Sequence, residues 1–325
     1  MPLPHYSRPM PRPSEFELIA ELFAPLATAP GAFGLTDDVA MLPPRRGCDL
    51  VVTADAVVAG VDFFASDAAA DVAQKALRVN LSDLAAKGAE PFGYLLTLFL
   101  PEEIGHAYLK GFARGLAEDQ EQFGVSLFGG DMSGTQGPFS VAITAFGHVP
   151  SGRLVRRSGA RAGDRVFVTG TIGDSGGGLA LLRNPSLSSS SEVHGWLVGR
   201  YRIPRPRVLF APSVRNASAC IDVSDGLIAD LGHIAEASGV RIVVEAERIP
   251  RSPALVALWG DSVAAIVRAA TSGDDYELAF TARSAIADGH TPVTSIGRVE
   301  AGSGVVLVDG NGREVPVPRA GFTHF

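Results

Sequence analysis

Six aspartates in this chain stand next to apolar runs rather than on the polar faces of helices. They are Asp38, Asp55, Asp83, Asp131, Asp222 and Asp225. Asp37-Asp38 lies in a turn just before the apolar run Val39–Leu42, Asp55 closes Leu50–Ala54, and Asp131 follows Val125–Phe128 through Gly129-Gly130. Asp222 and Asp225 close the run that starts at Ala219, and Asp83 falls about 100° round a helix from its leucine face. In open α/β sheets ligands collect at the downstream edges of strands. Hard divalent cations take oxygen ligands, and magnesium uses only one or two carboxylates beside water and substrate phosphates, so this many acids implies more than one ion. Any single Asp serves equally well as a helix cap or turn former. The set argues for a metal–phosphate site.

Two glycine-bearing steps point the same way. Gly129-Gly130-Asp131 lets backbone approach a phosphate closely, because glycine has no Cβ. Ser224-Asp225-Gly226, at the start of a helix, is expected to offer free N–H groups and a favourable dipole end to an anion, although Ser224 as a plain N-cap explains it too. The ordinary phosphate loop, G-x-x-x-x-G-K-[ST], does not occur, so phosphate chemistry here has to rest on carboxylates and metal. Gly173-Asp174-Ser175-Gly176-Gly177 matches the nucleophile segment of trypsin-like proteases. That activity also needs a His and an Asp upstream on a disulfide-bearing β-barrel, so a strand-to-helix turn is the preferred reading.

The elements that carry these residues alternate. Strands are expected at Leu50–Asp55, Tyr94–Leu100, Val125–Phe128, Phe139–Val149, Arg165–Thr169, Ala219–Val223, Arg241–Glu245, Leu278–Thr281 and Val305–Val308. Helices are expected from near Asp71, with Leu77, Leu81 and Leu84 on one face, over Ile104–Phe123, and after Asp225 with Leu227, Leu231 and Ile234 inward. Ser14 with Glu17 forms a capping-box pattern. The fold class is α/β, in α+β layers and two domains. Five prolines make 1–13 a disordered segment, 14–150 the first domain and 151–325 the second, and Asn184–Ser191 reads as a serine-rich surface loop.

The chain has 325 residues, 28 Lys and Arg against 35 Asp and Glu, and two cysteines far apart. Net acidity argues against nucleic acid as a partner. The cysteine count suggests neither a disulfide framework nor a zinc site, and no apolar run is long enough to span a bilayer. A cytoplasmic enzyme without membrane attachment is the expectation.

Taken as an ordered set, Thr36–Leu42, KALRVNLSDLAAKGA (75–89), Gly129-Gly130-Asp131, Arg157–Ala160, Gly170–Leu179, DVSDGLIADLGH (222–233) and Gly273–Leu278 resemble the thiamine-monophosphate kinase family. Aminoimidazole-ribonucleotide synthetase is a wider relative. The resemblance covers nearly the whole chain. It implies a homodimer whose N-terminal sheets pair into a barrel, and an ATP- and Mg2+-dependent phosphorylation of thiamine monophosphate. It also implies that Asp38, Thr53, Asp55, Asp83, Asp131, Asp222 and Asp225 hold several Mg2+ ions, that Gly130, Asp131, Arg157 and Ser224 contact ATP, and that Asp62, Asp274 and Phe322 face the acceptor.

Departures from the family pattern concentrate on the acceptor side. Asp62 replaces a histidine, Asp274 a glutamate, and Thr53-Ala54-Asp55 stands where serine-threonine-aspartate is usual. These leave two alternatives to the main reading: a related ATP-dependent enzyme with another acceptor, or a nucleotide-binding relative without catalysis.

Overall fold

A computed structural model describes residues 13–187 and 189–322. Apart from Pro13, the expectation of a disordered start therefore falls outside the described residues. The chain forms two compact units: residues through Asn80 with Pro91–His148, and Leu81–Glu90 with Val149–Phe325.

The first unit begins at α1 (Glu15–Leu18), where Ser14 and Glu17 make the reciprocal capping box, and continues through β1 (Cys48–Val58), α2 (Ala69–Ala86), β2 (Glu90–Leu100), α3 (His106–Phe123), β3 (Ser126–Gly134) and β4 (Ser140–Pro150). The last residues of α2 belong to the second unit. The four strands are ordered β1-β4-β2-β3, with β2 and β3 parallel. Leu77, Leu98, Leu109, Phe112 and Leu116 are buried, and Phe139 packs edge-on against Phe63, Tyr108 and Phe112. α3 stops at Gly124, whose left-handed backbone (φ 67°) closes the last turn. Asp67 and Asp119 are buried acids of this unit, and Asp119 on α3 accepts from the Arg78 guanidinium at 2.7–3.1 Å.

In the second unit β5 (Arg165–Thr169) leads to α4 (Asp174–Arg183), α5 (Ser191–Arg202) and the single turn α6 (Ala211–Val214). Next come β6 (Ala219–Asp222), α7 (Leu227–Ser238), β7 (Arg241–Glu245), α8 (Pro253–Trp259) and α9 (Val263–Ala270). β8 (Leu278–Ala282), β9 (Val293–Glu300), β10 (Gly304–Val308) and β11 (Glu314–Val315) complete it. The sheet order is β11-β10-β7-β9-β5-β8-β6, with only β10–β7 parallel.

Alternation decides which face each residue covers. Val166, Val168, Ile221, Ile242 and Val244 point to a core closed by Leu227, Leu231 and Ile234 of α7, while Phe167, Cys220 and Phe280 point to a second core with Phe210, Ala85 and Ala86. Each buried Val, Ile, Leu or Phe among them stabilises the fold by about 1.5–3 kcal/mol relative to exposure.

The nine expected strands and the three expected long helices are present, with two differences that affect the acids. β1 runs on through Ala56-Val57-Val58, so Asp55 lies within the strand rather than at its end. β3 continues through Gly129-Gly130-Asp131, which places Asp131 opposite Thr97 of β2. The sequence reading had no β9, β11, α5, α8 or α9.

Candidate functional site

In the second unit the acids are packed against one another. β6 delivers Asp222 into the interior, where it is only 5% exposed, and the Ser82 hydroxyl at the end of α2 donates to its Oδ2 at 2.8 Å. Burial and then the neighbouring Asp83 push the Asp222 carboxyl up to about 7, against the pull of the Ser82 hydrogen bond and Lys87. Lys87 donates to the Cys220 carbonyl at 2.9 Å, and burial lowers its own pKa. These carboxylates therefore have one nearby ammonium that is itself poorly solvated.

The turn after β6 is fully engaged. Asp230, one turn into α7 and 1% exposed, accepts through Oδ2 from the amides of Ser224 (3.0 Å), Asp225 (3.2 Å) and Gly226 (3.1 Å). This corrects the expectation that Ser224-Asp225-Gly226 offers its own free N–H groups to an anion: a side chain of the following helix already takes them. Burial, then Asp222 and Asp225, raise the Asp230 carboxyl to about 8. Ligand atoms of Asp225, Asp230 and the exposed His233 lie within 4.8 Å of one another.

The carbonyls of the same turn accept from residues distant in sequence. Tyr276 N donates to Val223 O at 2.8 Å, Asp274 N to Ser224 O at 2.7 Å, and Phe322 N to Asp225 O at 2.9 Å. Asp274 has a left-handed backbone (φ 60°), and its Oδ1 accepts from the Tyr276 hydroxyl at 3.3 Å. Phe322 is 45% exposed. Arg157 is exposed, with its carbonyl accepting from Ser238 Oγ.

The first unit presents its acids differently. Asp38, Asp55 and Asp131 are exposed. Asp37 Oδ1 accepts from Asp38 N at 2.8 Å, Asp55 N donates to the buried Asn80 Oδ1 at 3.0 Å, and Asp131 Oδ2 accepts from Ser133 Oγ at 3.2 Å. Thr53 and Asp55 share one face of β1, and Ala54 lies on the other with Leu50 and Val52. A Cβ at Gly130 would collide with the Leu96 carbonyl, so close packing onto β2 already requires glycine there without any phosphate. The Asp62 carboxylate accepts from Val58 N at 2.8 Å and thereby holds the turn after β1.

Sequence reasoning missed a buried acidic network in the second unit. Glu277 accepts from Arg200, Arg207 and Thr169, and Asp275 accepts from Gly173 N at 2.7 Å and Ser175 N at 3.3 Å at the start of α4. Burial holds the Asp275 carboxyl well above the usual range. Asp174 accepts from Thr171, Trp196 and Ser252. Ser175 is fully buried, which removes the protease-like reading of Gly173–Gly177. The signal was present in Gly-Asp-Asp-Tyr-Glu, but alternation in a five-residue acidic run does not tell which carboxylates face inward.

Residues 36–149 match the family model for the N-terminal domain of AIR synthase related proteins, and residues 161–310 match that for the C-terminal domain. The chain is 45% identical to the thiamine-monophosphate kinase of Caulobacter vibrioides, over 96% of this chain and 91% of that protein. It is 38% identical to the Escherichia coli K12 enzyme of the same name, over 96% and 98%. Among solved structures, the thiamine-monophosphate kinase of Stenotrophomonas maltophilia K279a superposes with a TM-score of 0.78 at 40% identity, over 86% of this chain and 91% of that one. A ThiL chain described as complexed with AMPPCP and TMP superposes with a TM-score of 0.78 at 33% identity, over 91% and 97%. Among the described residues no single helix is long and apolar enough to cross a membrane.

Proposed function

The chain belongs to the thiamine-monophosphate kinase family of AIR synthase related proteins, and from that premise we propose that it transfers the γ-phosphoryl group of ATP to the phosphate of thiamine monophosphate, giving thiamine diphosphate and ADP. The observation that carries this reading is Asp222: a nearly buried carboxylate beside Asp83, raised to about 7 and bonded to a hydroxyl. Two carboxylates so placed repel each other unless one holds a proton or a cation lies between them, and an all-oxygen donor set suits a hard divalent ion.

On this reading Asp38, Thr53, Asp55, Asp83, Asp131, Asp222 and Asp225 hold Mg2+, and Gly130, Asp131, Arg157 and Ser224 contact ATP. When bound, the ions offset the negative charge gathered on the phosphates during transfer. The protein supplies placement. Arg157 offers an exposed planar fork for phosphate oxygens, and the turn Val223–Gly226 holds Ser224 and Asp225 in one conformation. No side chain is needed as a base, since the acceptor phosphate, with a second pKa of about 6, is already largely ionised.

Phe322 and Asp274 are assigned to the acceptor, with Asp62 at its margin because its carboxylate also holds the turn after β1. Residues 14–150 are assigned to ATP and metal binding and to dimerisation, and 151–325 to the α/β domain. A homodimer is supported by the exposed face of β1, an edge strand on which Leu50 and Val52 are half exposed beside Ala54 and Ala56. Pairing of two such sheets into a barrel would cover it. A cytoplasmic location accords with two cysteines that are both free.

ADP formation with thiamine monophosphate and Mg2+, together with separate calorimetric titrations of AMPPCP and thiamine monophosphate, tests the assignment. Magnesium-dependent ADP release and binding of both ligands are expected. Nucleotide binding without any thiamine monophosphate binding would show that the acceptor is wrong.

A further inference from the structure

The turn between β6 and α7 has its backbone groups satisfied from two sides. Three amides, those of Ser224, Asp225 and Gly226, converge at 3.0–3.2 Å on one oxygen of Asp230. Three carbonyls, those of Val223, Ser224 and Asp225, accept from the amides of Tyr276, Asp274 and Phe322. The carbonyl contacts need glycine on the opposing segments: a Cβ at Gly273 would lie 2.6 Å from Ser224 O, and one at Gly321 would lie 2.5 Å from Asp225 O. Asp230 is nearly inaccessible, so water does not readily substitute for it.

We infer that Asp230 is a positioning residue for the phosphoryl transfer. By collecting three amides on one carboxylate oxygen, it fixes the turn from which Ser224 and Asp225 reach nucleotide and metal. It also leaves the carbonyls of that turn facing the segments that carry Asp274 and Phe322. Nucleotide-side and acceptor-side residues are thereby attached to the two edges of the same four-residue backbone, Val223–Gly226. In-line transfer depends on the separation between reacting oxygen and phosphorus, and small misplacements are costly in rate. A rigid shared turn sets that separation without contributing an atom to the reaction. The inference rests on the kinase reading above.

The test compares wild type with Asp230→Ala, Asp230→Asn and Gly321→Ala. Asp174→Asn is the control, because it alters an equally buried carboxylate of the same unit that makes no contact with the turn. Binding of Mg2+–AMPPCP is measured by calorimetry well below each variant's melting temperature, and amide exchange is followed at residues 224–226. Asp230→Ala is expected to weaken nucleotide binding about tenfold and to speed exchange of the three amides, consistent with the loss of three buried hydrogen bonds. Asp230→Asn, which keeps an oxygen acceptor, should stay within about threefold of wild type. Asp174→Asn should lower the melting temperature and leave the affinity unchanged.

Gly321→Ala disturbs the turn from its carbonyl side and should weaken nucleotide binding with Asp230 intact, so the inference remains testable if Asp230→Ala does not fold. Wild-type affinity in both Asp230→Ala and Gly321→Ala overturns the inference, as does an equal loss in Asp174→Asn. A wild-type protein with no affinity for Mg2+–AMPPCP overturns the kinase reading itself.

Discussion

The acids of the first unit stand in solvent on or beside strands, whereas those of the second are folded into the structure. Asp38, Asp55 and Asp131 are exposed, while Asp222 and Asp230 are almost wholly buried and carry hydrogen bonds from a hydroxyl and from three amides. An exposed carboxylate keeps its hydration and influences folding little. A buried one must be compensated, so its removal affects stability and binding together. The difference separates substitutions that report on ligand binding alone from those that also report on the fold.

The first unit contains exceptions in the buried Asp67 and Asp119, and breaking the second gives the largest expected effect. Asp119 is paired with Arg78, and Arg78→Met would strand that carboxylate at a cost of about 3–5 kcal/mol in denaturant unfolding. Adding Asp119→Leu should recover much of the loss. If Arg78→Met alone unfolds like wild type, the pair is not what holds α2 to α3.

Asp222→Asn comes next. A drop of about 100-fold in kcat/KM is expected if Asp222 places charge at the transferring phosphate. The same change should stabilise the chelator-treated protein at neutral pH. Asp222 rises from 3.8 to about 7 on folding, so the folded chain binds the extra proton more tightly, and stability falls as pH climbs from near 4 to near 7. Melting curves in chelator across that range should slope downward for wild type and less steeply for the variant, in which the raised carboxyls of Asp230 and Asp275 remain.

Asp131→Asn should give a smaller effect on rate, about tenfold, with unfolding free energy within about 0.5 kcal/mol of wild type, as for an exposed site. A large stability loss there would erase the contrast between the units. The smallest effect concerns the thiols. Cys48 of the first unit is half buried, whereas burial pushes Cys220 of the second up to about 12. A thiol reagent at pH 8 should therefore modify Cys48 and leave Cys220 untouched until the protein unfolds.

Much of this arrangement is legible in the chain because periodicity and capping follow local rules. The leucines of α2, the apolar runs of β5 to β8 and the Ser14–Glu17 box were read directly. Gly129-Gly130-Asp131 reads as a loop because glycine gives no strand signal, yet Gly130 is required by contact with β2. β9 was missed because Ser295 and Gly297 interrupt its apolar pattern, although Ile296 and Val299 are fully or nearly buried. α8 and α9 are too short, at seven and eight residues, for a helical period to stand out. Asp230 was invisible for another reason: its partners are backbone amides, and sequence does not record which way a side chain turns back.

A parallel at the start of α4 carries a wider consequence. There the Asp275 carboxylate takes the amides of Gly173 and Ser175, much as Asp230 takes those at the start of α7. Both glycine-bearing turns thus already commit amides to the protein's own carboxyl groups, which leaves fewer of them for a triphosphate. Nucleotide capture then leans more heavily on Arg157 and on counter-ions brought in from solution, so occupancy by ATP should rise with the free magnesium concentration of the surroundings and fall when a chelator competes.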